Sequence, residues 1–244
     1  MQNKYKKQLS IFETRRGKMR IRFKPWARPE LEASSFYIDN PEEYKGNWSK
    51  LFSNNNPIHV ELGCGKGGFI SKIAVENPNV NYIAIDLVDA MLGLAKRKVE
   101  AEFKENNRKI DNIYLTRYDI ERIANIFEEK DKVERIYINF CNPWPRGKHH
   151  KKRLTHTRQL EKYKQFLING GKIYFKTDDD NLFNDSINYF KETGFNILKY
   201  TYDLQKEPDF WNNIKTEHED MFIEQGIKIK ALILVLLFFY QKVL

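Results

Sequence analysis

A strand, a glycine-rich turn and a helix follow one another early in this chain, and no other feature narrows its fold so far. Ile58-His59-Val60-Glu61-Leu62 is an apolar run of strand length. Gly63-Cys64-Gly65-Lys66-Gly67-Gly68 follows, and then a helical pattern over 69–76. This is the opening half of a nucleotide-binding α/β unit, in which Gly63 and Gly65 let the backbone take positive φ and pass close to a ligand. Plain structural βα turns also use glycine, so the turn alone does not settle the matter. A second strand over 81–85 ends in Asp86, placed where an acid meets ribose hydroxyls. The competing reading is that Asp86 caps the helix predicted over 88–107.

Further strands are predicted over 113–116, 136–140, 172–176 and 196–202, with helices over 120–129, 157–167 and 182–192. Residues 203–224 are polar, and an apolar run over 229–239 reads as a buried strand, since 231–240 is about half a bilayer span. Strict β/α alternation predicts a mostly parallel sheet with helices on both faces. No repeat or linker interrupts it, so residues 29–244 are predicted to form one domain.

Charge is unevenly placed. The net charge is +9, and residues 1–28 hold ten Lys/Arg against one acid, Glu13; the remainder holds 32 of each sign. That pattern predicts a flexible basic arm on a neutral body, the charge distribution of a nucleic-acid binder, although a merely solvated tail looks the same. Two cysteines, Cys64 and Cys141, without a CxxC argue against a disulfide framework or structural zinc and fit a reducing compartment. Neither is assigned chemistry. The amino terminus lacks an apolar core with a cleavage site, so a cytoplasmic protein is expected.

The fourth strand carries the strongest local signal. It runs into Asn142-Pro143-Trp144-Pro145, where proline forces the chain out of the sheet, and then into Arg146, Lys148, His149, His150, Lys151, Lys152 and Arg153. An amide, an aromatic plate and dense positive charge at the carboxyl end of a strand suit chemistry on a polyanion. The two histidines lack partners at metal-ligand spacing. Glu61, just before the glycine turn, would repel a pyrophosphate but suits a cationic group, so S-adenosylmethionine is preferred to a nicotinamide cofactor.

VELGCGKG, AID, NFCNPWPRGKHHKKRLT, GGKIYFKTD and TEHE, in that order, resemble the motifs of the bacterial tRNA (guanine-N7)-methyltransferases. The resemblance covers about 52–230. It implies a class I methyltransferase fold, a Rossmann-like three-layer sandwich of seven strands with the last antiparallel and inserted beside the fifth. It also implies methylation of a guanine in the tRNA variable loop. Matched position by position, it implies cofactor contacts at Glu61, Gly63, Gly65, Asp86, Asp119 and Asn142, and substrate contacts at Arg146, Asp178, Thr216, Glu217, His218 and Glu219. RNA contacts are implied at Lys148, His149, His150, Lys151, Lys152 and Arg153, and the catalytic role at Asn142. The family more often has Asp at Asn142, Lys at Arg146, Tyr or Phe at His218 and Glu at Asp86. Asn142-Pro143-Trp144 is also similar to the N-P-P-[YFW] motif of amino-methyltransferases, with the second proline displaced to Pro145. A non-catalytic RNA-binding relative is the third reading left open by Asn142. For Asp178 the alternative role is a cap for the following helix, and for Glu219 an ordinary surface acid.

Overall fold

The structure is a computed structural model that describes residues 11–14, 17–20, 22–207, 209–211 and 213–238. Much of the segment expected to form the basic arm lies outside the described residues. Within it, β1 (Ile11–Thr14) and β2 (Gly17–Arg20) pair antiparallel. Helix α1 (Ala27–Glu32) starts inside the same segment but packs on the body. A Cβ added at Gly93 would lie 2.8 Å from the Cβ of Ala27, so glycine is what lets α1 come this close. The Arg97 guanidinium lies 3.6 Å over the Trp26 ring beside it.

The body is one sheet of eight strands. In chain order they are β3 (Tyr37–Ile38), β4 (Ile58–Leu62), β5 (Asn81–Asp86), β6 (Ile113–Arg117), β7 (Val133–Asn139), β8 (Leu167–Thr177), β9 (Phe195–Thr201) and β10 (Lys230–Leu236). Across the sheet the order is β3-β6-β5-β4-β7-β8-β10-β9. All neighbours are parallel except β10, which runs antiparallel between β8 and β9. The expected seven strands and inserted antiparallel last strand are present. The eighth, β3, is a two-residue edge pairing Tyr37 with Leu115 and Ile38 with Thr116, too short to show a period in sequence.

Strand alternation sorts the apolar side chains onto two faces. Ile58, Val60, Leu62, Ile83, Ile136, Ile138 and Phe175 join one core with Leu160 and Tyr163 of α4 (Thr157–Tyr163) and Leu182, Phe183 and Phe190 of α5 (Asp180–Glu192). Tyr82, Ala84 and Tyr137 face the other way, against Ile70 and Ile73 of α2 (Ile70–Glu76) and Leu92 and Val99 of α3 (Asp89–Glu105). Successive strands leave β4 outward in both directions, so the crevice between the carboxyl ends of β4 and β7 is the topological switch point where such sheets bind ligands.

Three local expectations differ. The helix predicted over 120–129 is a 3-10 turn, Ile120–Asn125, broken at Arg122 (φ −108°, ψ 20°). The end of the helix predicted over 157–167 belongs to β8, which starts at Leu167 opposite Val133 and resumes at Lys172 opposite Arg135; the Asn169-Gly170-Gly171 excursion lies within the strand. The polar stretch after β9 holds α6 (Glu217–Glu224), opened by Thr216, whose hydroxyl accepts from the Glu219 N–H.

Candidate functional site

The site gathers at the carboxyl ends of β4, β5, β7 and β8. Beyond β4 the turn hangs from β5: the N–H groups of Gly63 and Cys64 both donate to the Ile85 carbonyl, at 2.8 and 3.0 Å. Two glycines are needed for distinct reasons. Gly67 (φ +78°) approaches α3 so closely that a Cβ would sit 2.8 Å from the Ala95 Cα. Gly65 (φ +53°) has nothing within 4 Å of where a Cβ would be, which leaves its backbone open to a ligand.

Two acids flank this turn. Glu61 is only 2% exposed; its Oε1 accepts from Asn139 Nδ2 at 2.9 Å, and its Oε2 has no partner among the described residues. Burial pushes its carboxyl up to about 7, against the pull of Asn139 and the Lys176 charge. A buried carboxylate oxygen left without a donor is costly, and an ammonium group supplies both the donor and the charge. Asp86 accepts from Gly65 N–H (3.0 Å) on Oδ2 and from Val88 N–H (2.9 Å) on Oδ1. It therefore braces the turn and the chain entering α3, whose N-cap is Val88 with no side-chain cap, so the capping role considered for Asp86 is not the one it plays; burial raises its carboxyl. Each oxygen retains a lone pair for a hydroxyl donor. Asp119 accepts from Glu121 N–H at 2.9 Å, capping the 3-10 turn after β6.

The loop after β7 is held in an uncommon backbone state. Phe140 (φ +51°) and Trp144 (φ +43°) both lie in the left-handed region, where non-glycine residues persist only if their surroundings hold them. Phe140 N–H donates to the Lys176 carbonyl at 2.9 Å. Asn142 Oδ1 accepts from Trp144 N–H at 3.0 Å, folding the amide back over its own loop. The guanidinium of Arg153 closes the loop from below. Its Nε donates to the Pro143 carbonyl (2.7 Å), Nη1 pairs with Asp185 (2.5 Å), and Nη2 donates to His150 Nε2 (3.0 Å).

Arg153 is 2% exposed, unlike the exposed basic residues of the run expected to contact RNA. It is a structural pin, and half-buried His150 is its acceptor. The rest of the run is differently placed. Arg146, Lys148, Lys151 and Lys152 are exposed on or beside the 3-10 turn Gly147–Lys152. Lys152 Nζ lies 5.2 Å over the Trp144 ring, and His149 meets that ring edge-on at 5.7 Å. Positive charge and an aromatic plate thus share one surface.

The acids after β8 also sort themselves. The cap of α5 is Asp179, whose Oδ1 accepts from Leu182 N–H at 2.8 Å, so the capping role considered for Asp178 falls to its neighbour. Lys230 Nζ donates to the Asp178 carbonyl at 3.0 Å and pairs with Asp180 at 2.7 Å. Glu219 is no surface acid. It is 2% exposed, with Oε2 paired to Lys176 Nζ at 2.7 Å and Oε1 accepting from Asn213 Nδ2 at 2.7 Å. Lys176, itself buried, donates further to Asn213 Oδ1 (2.9 Å) and the Ile214 carbonyl (3.0 Å). Glu217 pairs with Lys98. His218 stacks against Phe140 with ring centroids 6.2 Å apart at 22°, which seats the start of α6 on the loop after β7.

Lys176, Asn139 and Asn213 were not singled out in the sequence. For Lys176 a signal existed, since a lysine at the buried end of an apolar strand needs a partner. Burial raises both thiols, that of Cys141 to about 12, which leaves neither a thiolate nucleophile near neutral pH. Among the described residues, no group of three His, Cys, Asp or Glu is arranged to hold a metal ion, and no helix is long and apolar enough to cross a membrane.

Residues 55–232 match the model of the family described as "Putative methyltransferase". The chain is 60% identical over 215 residues to a tRNA (guanine-N(7)-)-methyltransferase of Clostridium beijerinckii, covering 88% of this chain and 98% of that protein. It is 58% identical over 217 residues to the protein of the same name from Ruminiclostridium cellulolyticum, covering 88% and 91%. Among solved structures it shares its fold with the 16S rRNA methyltransferase KamB at a TM-score of 0.57 and 14% identity, covering 78% of this chain and 92% of that one.

Proposed function

This chain belongs to the tRNA (guanine-N7)-methyltransferases, and from that premise we propose how its residues divide the work of moving a methyl group from S-adenosylmethionine to a guanine N7 in the variable loop of cytoplasmic tRNA. The observation that carries the proposal is the buried, unpartnered Oε2 of Glu61 beside the open backbone of Gly65. An amino-acid ammonium group fits the first, and a chain passing close to the turn fits the second. Asp86 takes the ribose hydroxyls on its remaining lone pairs, with Gly63 and Asp119 completing the wall. The bound cofactor supplies an electrophilic methyl group.

Guanine N7 has a free lone pair and no proton, so the transfer needs no general base. The protein must hold the purine in line at near-attack distance and favour the positive charge that grows on it. Asn142, on the braced loop after β7, orients the purine without contributing charge. Glu219 cannot serve that charge directly, because Lys176 neutralises it. Its part is to hold Thr216, Glu217 and His218 against the loop, and Asp178 accepts from the edge of the guanine. Arg146, Lys148, His149, Lys151 and Lys152 receive the RNA backbone, with Trp144 offered to a base.

Transfer of tritium from labelled cofactor to unmodified tRNA, followed by nucleoside analysis, tests the reading. The expected product is 7-methylguanosine. Label in N6-methyladenosine would move the chain to amino methylation, and tRNA binding without label would make it a non-catalytic relative.

A further inference from the structure

A cavity of about 410 Å³ lies on the same sheet face as Glu61, between α2 and Phe210, Trp211 and Ile214. Along β7 it follows Arg135, Tyr137 and Asn139, from the amino end of the strand to its carboxyl end. No residue of the glycine turn lines it, and neither do Asp86, Asp119 or Asn142. It is therefore a space apart from the methyl-transfer site, joined to it through Asn139, which donates to Glu61, and Lys176, which pairs with Glu219.

Two features of its lining are unfinished. Half-buried Arg135 donates to the Tyr137 hydroxyl at 3.0 Å and lies 4.5 Å over the Tyr174 ring, yet it forms no ion pair among the described residues. His59, only 5% exposed, also lines the cavity, and its Nδ1 has no partner among the described residues. Burial and the nearby guanidinium push its imidazole down to about 3, so it is neutral. A partly desolvated cation without a counter-charge and an orphan ring nitrogen are both costly unless something enters to meet them.

The chemistry of that something follows from the walls. Among the described residues, the other cation lining the cavity, Lys176, is already matched by Glu219. One free positive charge balances one negative charge, which favours a carboxylate over a phosphate dianion. The Tyr174 and Trp211 rings, 5.2 Å apart and inclined at 47°, form an aromatic wall together with Tyr137 and Phe69, and such a wall accepts a planar ring. The volume matches that of small-ligand pockets.

We propose that this cavity is a second ligand site, for a small planar aromatic carboxylate held by Arg135. The site stands independently of the methyl-transfer reading, and its test does not use activity. The full-length protein is titrated calorimetrically with benzoate, anthranilate and indole-3-carboxylate, and with the matching amides. At least one carboxylate should bind at millimolar concentration or better, with its amide weaker by about tenfold or more. Arg135→Met should weaken the carboxylate by about tenfold while changing S-adenosylmethionine affinity by less than about twofold, which reports an intact fold. Ile73→Trp, which fills the cavity from α2 and leaves the charge in place, should abolish binding. The proposal is overturned if no carboxylate binds, if amides bind equally well, or if Ile73→Trp retains the ligand. Unchanged affinity in Arg135→Met overturns it too; should that variant fail to fold, the amide and Ile73→Trp comparisons decide.

Discussion

Taking the protein from about pH 7.5 to about pH 5.5 is expected to weaken S-adenosylmethionine binding about 25-fold. The reasoning starts from Glu61, whose buried carboxyl sits near 7 in the free protein because desolvation outweighs Asn139 and Lys176. The cofactor's ammonium group needs the carboxylate, so binding must first remove a proton wherever Glu61 holds one. Over this interval the ionised share falls from about three-quarters to about one-thirtieth. Calorimetry in buffers of different ionisation enthalpy would read both the affinity and the proton released. Glu61→Gln should bind weakly throughout, with a flat profile. It should also be more heat-stable than the wild type at pH 7.5. The folded carboxyl titrates near 7 and the unfolded one near 4.5, so the folded state holds the extra proton between them. Stability from this group is full below that window and lost as pH rises through it, at most about 3 kcal/mol. Glutamine never carries the buried charge and so escapes that loss. A flat wild-type profile, or a less stable Glu61→Gln protein at pH 7.5, would refute the assignment.

Other variants probe the rest of the site. Lys176→Met leaves Glu219 buried without its cation and should cost about 3–5 kcal/mol in denaturant unfolding, with part regained by adding Glu219→Gln. Arg153→Ala should cost about 2–3 kcal/mol, through its lost contacts to Pro143, Asp185 and His150. Replacing Lys151 and Lys152 with Ala should instead leave the melting temperature alone and flatten the salt dependence of tRNA binding, by about 0.7–0.9 in log–log slope per lost contact. If Arg153→Ala behaves like its neighbours, the pin assignment is wrong. Asn142→Asp should preserve or raise the single-turnover rate, since a carboxylate favours the growing charge on the purine. Asn142→Ala should lower that rate about 10–1000-fold, and by more than it lowers tRNA affinity.

Local pattern was enough for the order and direction of the main strands. Apolar runs bounded by Gly, Asn and Pro mark β4 through β7 to within three residues and β8 over its second half, because strand alternation and proline are properties of short segments. The switch-point crevice follows, and with it the place of Glu61, Asp86 and Asn142 at strand ends. Motif order was enough for the family. What the linear chain could not carry is how its charges pair. Arg153 sits in a run of seven basic or imidazole residues and looks like any of them, but it alone turns inward, because Asp185, 32 positions later, stands opposite it on α5. Glu219 and Lys176 are 43 residues apart, and only the packing of α6 over β8 makes them one buried pair rather than a surface acid and an odd lysine. Asp178 and Asp179 are equivalent as caps on paper, and the fold gives that task to Asp179. For Arg153 and for Lys176 with Glu219 burial demands a partner, and burial exists only once the layers have closed.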